Sequence, residues 1–206
     1  MRQRIKESPP YRPVTLVEGL SGEQVARFTT QQHRFPAIRV RARSRRSYPQ
    51  GPRTAHVLGY LGQPDDADFR RFRSELYPQG TRIGKMGLER EYEQTLHGQP
   101  GRREVETDAH GREVREVDYT PPVPGKDLIL TLDADLQRKA YDVLSGYKEA
   151  SLVALDPDTG GILAMVSQPS FDPNDLIGGL GQNSWTDLRQ APFNPLLNRA
   201  VQGTYP

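Results

Sequence analysis

The chain has 206 residues, a formal net charge of +2, a mean hydropathy of −0.74, 34% hydrophobic residues, 19 glycines and 18 prolines. That balance is too polar for one large, well-filled core, and no run approaches the roughly 18 apolar residues of a membrane helix. Cysteine is absent, which excludes disulfides and thiolate metal sites.

The small net charge hides an asymmetry: residues 1–60 carry +9 and residues 61–206 carry −7. A basic front and an acidic back suggest two modules with different partners.

Residues 1–13 read as a polar, proline-broken lead-in without a signal-peptide core, and Val14 to Val17 as a short strand. A helix follows Ser21: Ser21-x-x-Gln24 fits a capping box, and Val25, Phe28 and Gln32 recur on one face before Pro36 ends the run. From Ile38 to Tyr48, Ile38, Val40, Ala42 and Ser44 alternate with Arg39, Arg41, Arg43 and Arg45. This two-residue period predicts a strand with one face on a small core and guanidinium groups on the other. These four arginines are the candidate partner-binding residues. They suit nucleic acid, anionic lipid or an acidic protein surface, or else a solvated edge strand whose charges discourage aggregation.

Arg53 to Gly62 is a short apolar segment with glycines at its bends, and Asp65 to Leu76 an exposed, charged helix or turn-rich insert. His33 and His56 lack ligand-spaced neighbours and read as structural. Gly84 to Gly98 is predicted as one helix with Met86, Leu88, Tyr92 and Leu96 on its apolar side and Gly98 closing it. Arg102–Thr107 and Glu113–Tyr119 form a polar hairpin around Asp108–Gly111. The stiff stretch Pro121–Gly125 marks a module boundary.

Beyond it, Leu128 to Leu132 reads as a strand, and Asp133 caps a helix to about Tyr147 with Leu136, Ala140, Val143 and Leu144 on one face. Two apolar runs, Leu152–Leu155 and Ile162–Val166, flank the turn Asp156-Pro-Asp-Thr-Gly-Gly161. Neither alternates, so an antiparallel hairpin covered on both faces is expected, with the preceding helix over one of them. Pro169 to Pro206 is rich in Pro, Gly and Asn, with Trp185, Leu188 and Phe193 as anchors; a polar loop this long is usually functional or incomplete.

The chain lacks a P-loop, a G-x-G-x-x-G, a helical His pair and a G-x-S-x-G. One formal catalytic match exists, Ser145-Gly-Tyr-Lys148, an S-x-x-K in which lysine would activate serine. With ten serines and five lysines, chance supplies such a match about once in four chains of this length. Gly146 also loosens the turn that should align the pair.

Several stretches, taken together and in order, resemble the elongation-type class B penicillin-binding proteins, penicillin-binding protein 2. They are Gln24-Val-Ala-Arg-Phe28, Arg34-Phe-Pro36, Ile83-Gly-Lys-Met-Gly-Leu-Glu-Arg-Glu-Tyr92, Leu96-His-Gly98, Leu130-Thr-Leu-Asp133, Asp156–Gly161, Ser170-Phe-Asp-Pro-Asn174 and Asn198–Pro206. The resemblance implies an α+β chain. Residues 1–124 would be a mixed pedestal, or dimerisation domain, of short strands and two helices. Residues 125–206 would be the first strands and helix of the transpeptidase domain. The family's nucleophilic serine, in Pro-Gly-Ser-x-x-Lys, would follow Pro206, so no catalytic, cofactor or metal residue is expected here. The chain alone should then be inactive, and its C-terminal third should expose apolar surface or be only marginally stable.

For the parent protein the resemblance implies peptidoglycan stem peptides as substrates, β-lactams as inhibitors, and a membrane glycosyltransferase and elongation scaffold proteins as partners. It implies the periplasmic side of the bacterial inner membrane, through an anchor helix outside this sequence. A stand-alone, non-catalytic docking module is the alternative. A nucleic-acid binder using Arg39–Arg46 is disfavoured, because no aromatic residue interleaves the arginines and the acidic back half repels phosphate.

Overall fold

The computed structural model describes residues 14–204 except 18, 43, 73–76, 78–80, 109–112 and 178–181. Backbone contacts divide the chain into two units, Met1–Arg45 with Val105–Val117, and Arg46–Glu104 with Asp118–Pro206.

In the first unit, helix α1 (Gly22–Thr30) begins with the expected capping box: Ser21 Oγ accepts the Gln24 amide and Gln24 Oε1 the Ser21 amide. Val25, Phe28 and Gln32 are its half-buried positions, as their spacing predicts. The helix gives way to a 3-10 turn, Gln32–Arg34, which lets Phe28 and Phe35 stack with ring centroids 6.2 Å apart. Val14–Val17 forms no strand, and neither do the described residues of Ile38–Tyr48. Alternation states what a strand would bury, but a strand also needs a ladder partner, and no described segment pairs with either stretch.

In the second unit, a 3-10 turn (Gly51–Arg53) leads into the one-turn helix α2 (Ala55–Leu58), then β1 (Leu61–Gly62) and α3 (Asp66–Arg71). Strand β1 pairs antiparallel with β2 (Ile83–Gly84). The helix expected over 84–98 is two short ones, α4 (Gly87–Glu91) and α5 (Glu93–Leu96), broken at Tyr92. Gly98, at φ 74°, follows as the expected terminator. The apolar-side assignment fails at Tyr92, which is exposed; the deeply buried positions are Glu89 and Glu93, at 5% and 2% exposure. Charge alone marked them as outward-facing, whereas each has a dedicated partner, described below.

Strands β3 (Arg102–Thr107) and β4 (Glu113–Thr120) pair in a two-stranded sheet, as expected. Leu128–Leu132 forms no ladder; its end meets the next hairpin through Thr131 Oγ1 donating to the Ile162 carbonyl and the Asp133 amide donating to the Leu163 carbonyl. Asp133 caps α6 (Ala134–Leu144) by accepting the Asp135 and Leu136 amides. Half of the predicted face holds: Ala140 is buried and Leu144 packs on the same core, whereas Leu136 and Val143 are exposed and Gln137 is buried instead.

Strands β5 (Ala150–Leu155) and β6 (Ile162–Gln168) form the predicted antiparallel hairpin, with an irregularity at Ala154/Leu155. Its turn closes through the Asp156 amide to the Gly161 carbonyl and Thr159 Oγ1 to Asp156 Oδ2. Ala164 and Val166 of β6 meet Ala140, Tyr141 and Leu144 of α6. Only β6 is covered on both faces. On β5, Leu152 and Ala154 face the core, whereas Val153 and Leu155 are exposed. Ile129, at 99% exposure, and Val143 are exposed as well, so apolar side chains reach the surface in this part of the chain.

Helices α7 (Pro173–Ile177), α8 (Gln182–Gln190) and α9 (Arg199–Gln202) replace the expected long loop. A second core gathers Ala55, Phe171 and Leu176, with Trp185 and Leu188 packed on it as expected. Phe193 is instead exposed, at φ 63°, and Leu196 takes the anchoring place.

Candidate functional site

In the second unit the segment Phe193–Gly203 is held against β6 by a set of side-chain hydrogen bonds. Phe193 and Asn194 both lie in the left-handed region, which non-glycine residues adopt only when their surroundings fix them. Here the fixing group is Arg199, only 6% exposed. Its guanidinium donates to the carbonyls of Phe193 and Asn194 and to Glu149 Oε1 at 2.5 Å. A buried cation requires such partners, since desolvation without them is costly. The Arg199 amide also donates to Ser167 Oγ at 3.0 Å, and that hydroxyl donates to the Leu197 carbonyl at 3.0 Å. One β6 serine thereby satisfies both the entry to α9 and the turn before it.

Asn198 is the N-cap of α9, its Oδ1 accepting the Ala200 amide at 3.1 Å. Its Nδ2 reaches the His56 carbonyl at 3.4 Å. His56 is buried, and its Nε2 lies 2.8 Å from the Pro195 carbonyl. A carbonyl only accepts, so Nε2 carries the hydrogen. Burial lowers the His56 pKa below the ordinary histidine value, outweighing the Pro195 carbonyl, and Arg199 acts in the same direction as burial.

A second polar node lies under α4 and α5. Glu89 accepts both Arg46 Nε (2.6 Å) and Nη2 (2.8 Å), and the Tyr48 hydroxyl at 3.2 Å. Glu93 accepts the Gly84 amide at 2.6 Å and stands 3.0 Å from His97 Nδ1. Tyr77 packs on the His97 ring, and burial, followed by the Glu93 charge, pushes its hydroxyl up to about 12.

Residues 1–130 match the family model for the penicillin-binding protein dimerisation domain, and residues 150–206 that for the penicillin-binding protein transpeptidase domain. The chain belongs to the penicillin-binding proteins. The peptidoglycan D,D-transpeptidase MrdA of Escherichia coli K12 is 41% identical over 209 residues, an alignment covering 100% of this chain and 33% of that protein. MrdA of Acinetobacter baumannii is 40% identical over 205 residues, covering 100% of this chain and 30% of its own length. This penicillin-binding protein chain thus spans about a third of the length of the curated relatives it matches.

Among solved structures, the Helicobacter pylori complex between penicillin-binding protein PBP2 and MreC superposes with TM-score 0.78 at 29% identity, over 97% of this chain and 37% of that one. Pseudomonas aeruginosa PBP2 in complex with WCK 5153 gives 0.65 at 36% identity, over 82% and 33%. The mixture of helices and short strands is that of PBP2.

In this penicillin-binding protein, Arg39, Arg41 and Arg45 are exposed, and Arg43 lies outside the described residues. They share no strand face, because Val40, Ala42 and Ser44 between them are exposed as well. Ser145 is exposed, and its hydroxyl donates to the Asp142 carbonyl at 2.7 Å, which ties it to the end of α6. The residues that sequence reasoning missed are Ser167, Arg199 and the His56–Pro195 contact. Asn198 before an apolar-periodic stretch was a readable cap signal. The pairing of Ser167 with Arg199, 32 positions apart, left no local trace.

Proposed function

We propose that this chain is the front part of a peptidoglycan D,D-transpeptidase that cross-links stem peptides through a serine acyl-enzyme in cell-wall elongation. Residues 1–124 serve as its non-catalytic pedestal and residues 125–206 as the opening of its transpeptidase domain. The observation that carries this reading is the alignment of the MrdA proteins along the whole chain. The nucleophile belongs to a Ser-x-x-Lys after Pro206, and penicillin acylates it there. The 206-residue chain incubated with fluorescent penicillin should therefore stay unlabelled. Covalent label at Ser145 overturns the assignment.

The pedestal docks an elongation scaffold protein and a membrane glycosyltransferase on the periplasmic side of the inner membrane. The support for the scaffold is that the Helicobacter pylori PBP2 was solved as a complex with MreC. Arg39, Arg41, Arg43 and Arg45 meet an acidic surface of that partner, as the +9 charge of residues 1–60 favours. Arg41→Glu with Arg43→Glu should weaken capture by an MreC ectodomain at least tenfold while circular dichroism stays unchanged. Unchanged capture removes these arginines from the interface.

A further inference from the structure

His56 sits in the stretch matched by the dimerisation-domain model, and its polar contacts sit in the stretch matched by the transpeptidase model. Its Nε2–H donates to the Pro195 carbonyl at 2.8 Å, and its own carbonyl accepts Asn198 Nδ2 at 3.4 Å. Phe171 closes over the ring edge-on at 5.5 Å. Pro195 and Asn198 bracket the turn that launches α9. Asn198 Oδ1 caps that helix, and its carbonyl accepts the Val201 and Gln202 amides. Helix α9 has only four residues, so its own hydrogen bonds do not hold it in place. Arg199 and Ser167 grip it from the β6 side, and His56 from the α2 side.

We infer that His56 is a positioning residue: through its Nε2–H it fixes the Pro195–Asn198 turn, and so the direction in which the chain leaves α9 at Gly203. Resting on the transpeptidase reading above, this makes α2 the element by which the pedestal stretch sets the placement of the segment leading to the nucleophile. A histidine kept only for packing would serve equally well as an apolar residue of similar size. A donor at Nε2 is what the Pro195 carbonyl requires, because a buried carbonyl left unpaired is costly.

The test is hydrogen exchange on the 206-residue chain and two variants, His56→Leu and His56→Gln. Leucine keeps volume and removes the donor, whereas glutamine restores a donor of comparable reach. The Gln202 and Gly203 amides, bonded to the Asn198 and Arg199 carbonyls, report on α9; the Asp156 amide, bonded to the Gly161 carbonyl, reports on the hairpin. In His56→Leu the α9 amides should exchange roughly tenfold faster with the hairpin amide unchanged, and His56→Gln should return them towards wild type. Unchanged α9 exchange in His56→Leu overturns the proposal. So does equal acceleration of the hairpin, or failure of glutamine to rescue. None of these readings depends on acylation, so the penicillin experiment can fail without them, and they without it.

Discussion

The side-chain amide of Gln137 faces the backbone of Met165 as a neighbouring strand residue would, donating Nε2 to its carbonyl and accepting its amide at Oε1, both at 2.8 Å. The same Nε2 also donates to the Arg53 carbonyl at 2.6 Å, so one helix residue joins the 3-10 turn to the sheet. Gln137 is 2% exposed, so its amide relies on these partners rather than on water. Gln137→Leu keeps the volume and orphans three backbone groups. The expected loss is about 2–4 kcal/mol, read as a lower urea midpoint at unchanged slope. A midpoint equal to wild type would show that the amide pairing contributes nothing.

Glu89 and Arg46 give a second measurement. The carboxylate is buried while the Arg46 side chain keeps 38% exposure, so water screens part of the pair. Glu89→Leu should cost about 2 kcal/mol, chiefly by stranding the guanidinium and the Tyr48 hydroxyl. Adding Arg46→Met should recover part of that loss. A double variant no more stable than Glu89→Leu would mean that the pair is not coupled.

Gly84 is set by backbone contact. A Cβ there would lie 2.0 Å from the Glu89 carbonyl oxygen, which belongs to α4 and cannot move aside as a flexible side chain would. Gly84→Ala should cost more than about 3 kcal/mol or prevent folding of the second unit. Gly146→Ala, where a Cβ meets nothing within 4 Å, is the control and should shift stability by less than about 1 kcal/mol. Equal midpoints for the two variants would contradict the packing described for β2 and α4.

His56 makes stability pH-dependent in a defined direction. Its folded pKa lies below the unfolded value of about 6.5, so between the two the unfolded chain binds more protons. The contribution is complete above pH 6.5 and is lost as pH falls towards and through the folded pKa. Urea midpoints measured across this range should decline on the acid side in the wild type. In His56→Gln that part of the decline should be missing. Identical profiles would show that His56 does not titrate differently in the two states.

Much of the architecture could be read from local pattern. The Ser21 and Asp133 caps and the β5–β6 hairpin rest on signals a few residues long, and all are present. What misled was the assumption that apolar residues define a helix's buried face. On α6 Ala140 is buried as its spacing predicts, but the deepest residue is Gln137, whose amide completes the edge of β6 at Met165. On α4 and α5 the buried pair is Glu89 and Glu93, whose partners Arg46 and Gly84 lie 43 and 9 residues away. The candidate site was less legible still. The arginine period predicted a strand, but a ladder partner is a property of the whole fold. The grip on α9 depends on Ser167 and His56, whose types are unremarkable until the chain brings them together.

The ties on Tyr48–His56 also set an order of events in time. Tyr48 waits for Asn174, 126 residues later; Pro52 for Ser170, 118 later; and His56 for Pro195, 139 later. At synthesis rates of about 5–20 residues per second, the partner of His56 emerges roughly 7–28 s after it. Until then α2 has only the neighbouring turn around Met86 and Gly87 to rest on, and the Nε2–H of His56 lacks its carbonyl partner. The Tyr48–His56 stretch therefore acquires its polar partners only once residues 170–195 have been made, so the front of this unit is finished by chain synthesised well over a hundred residues later.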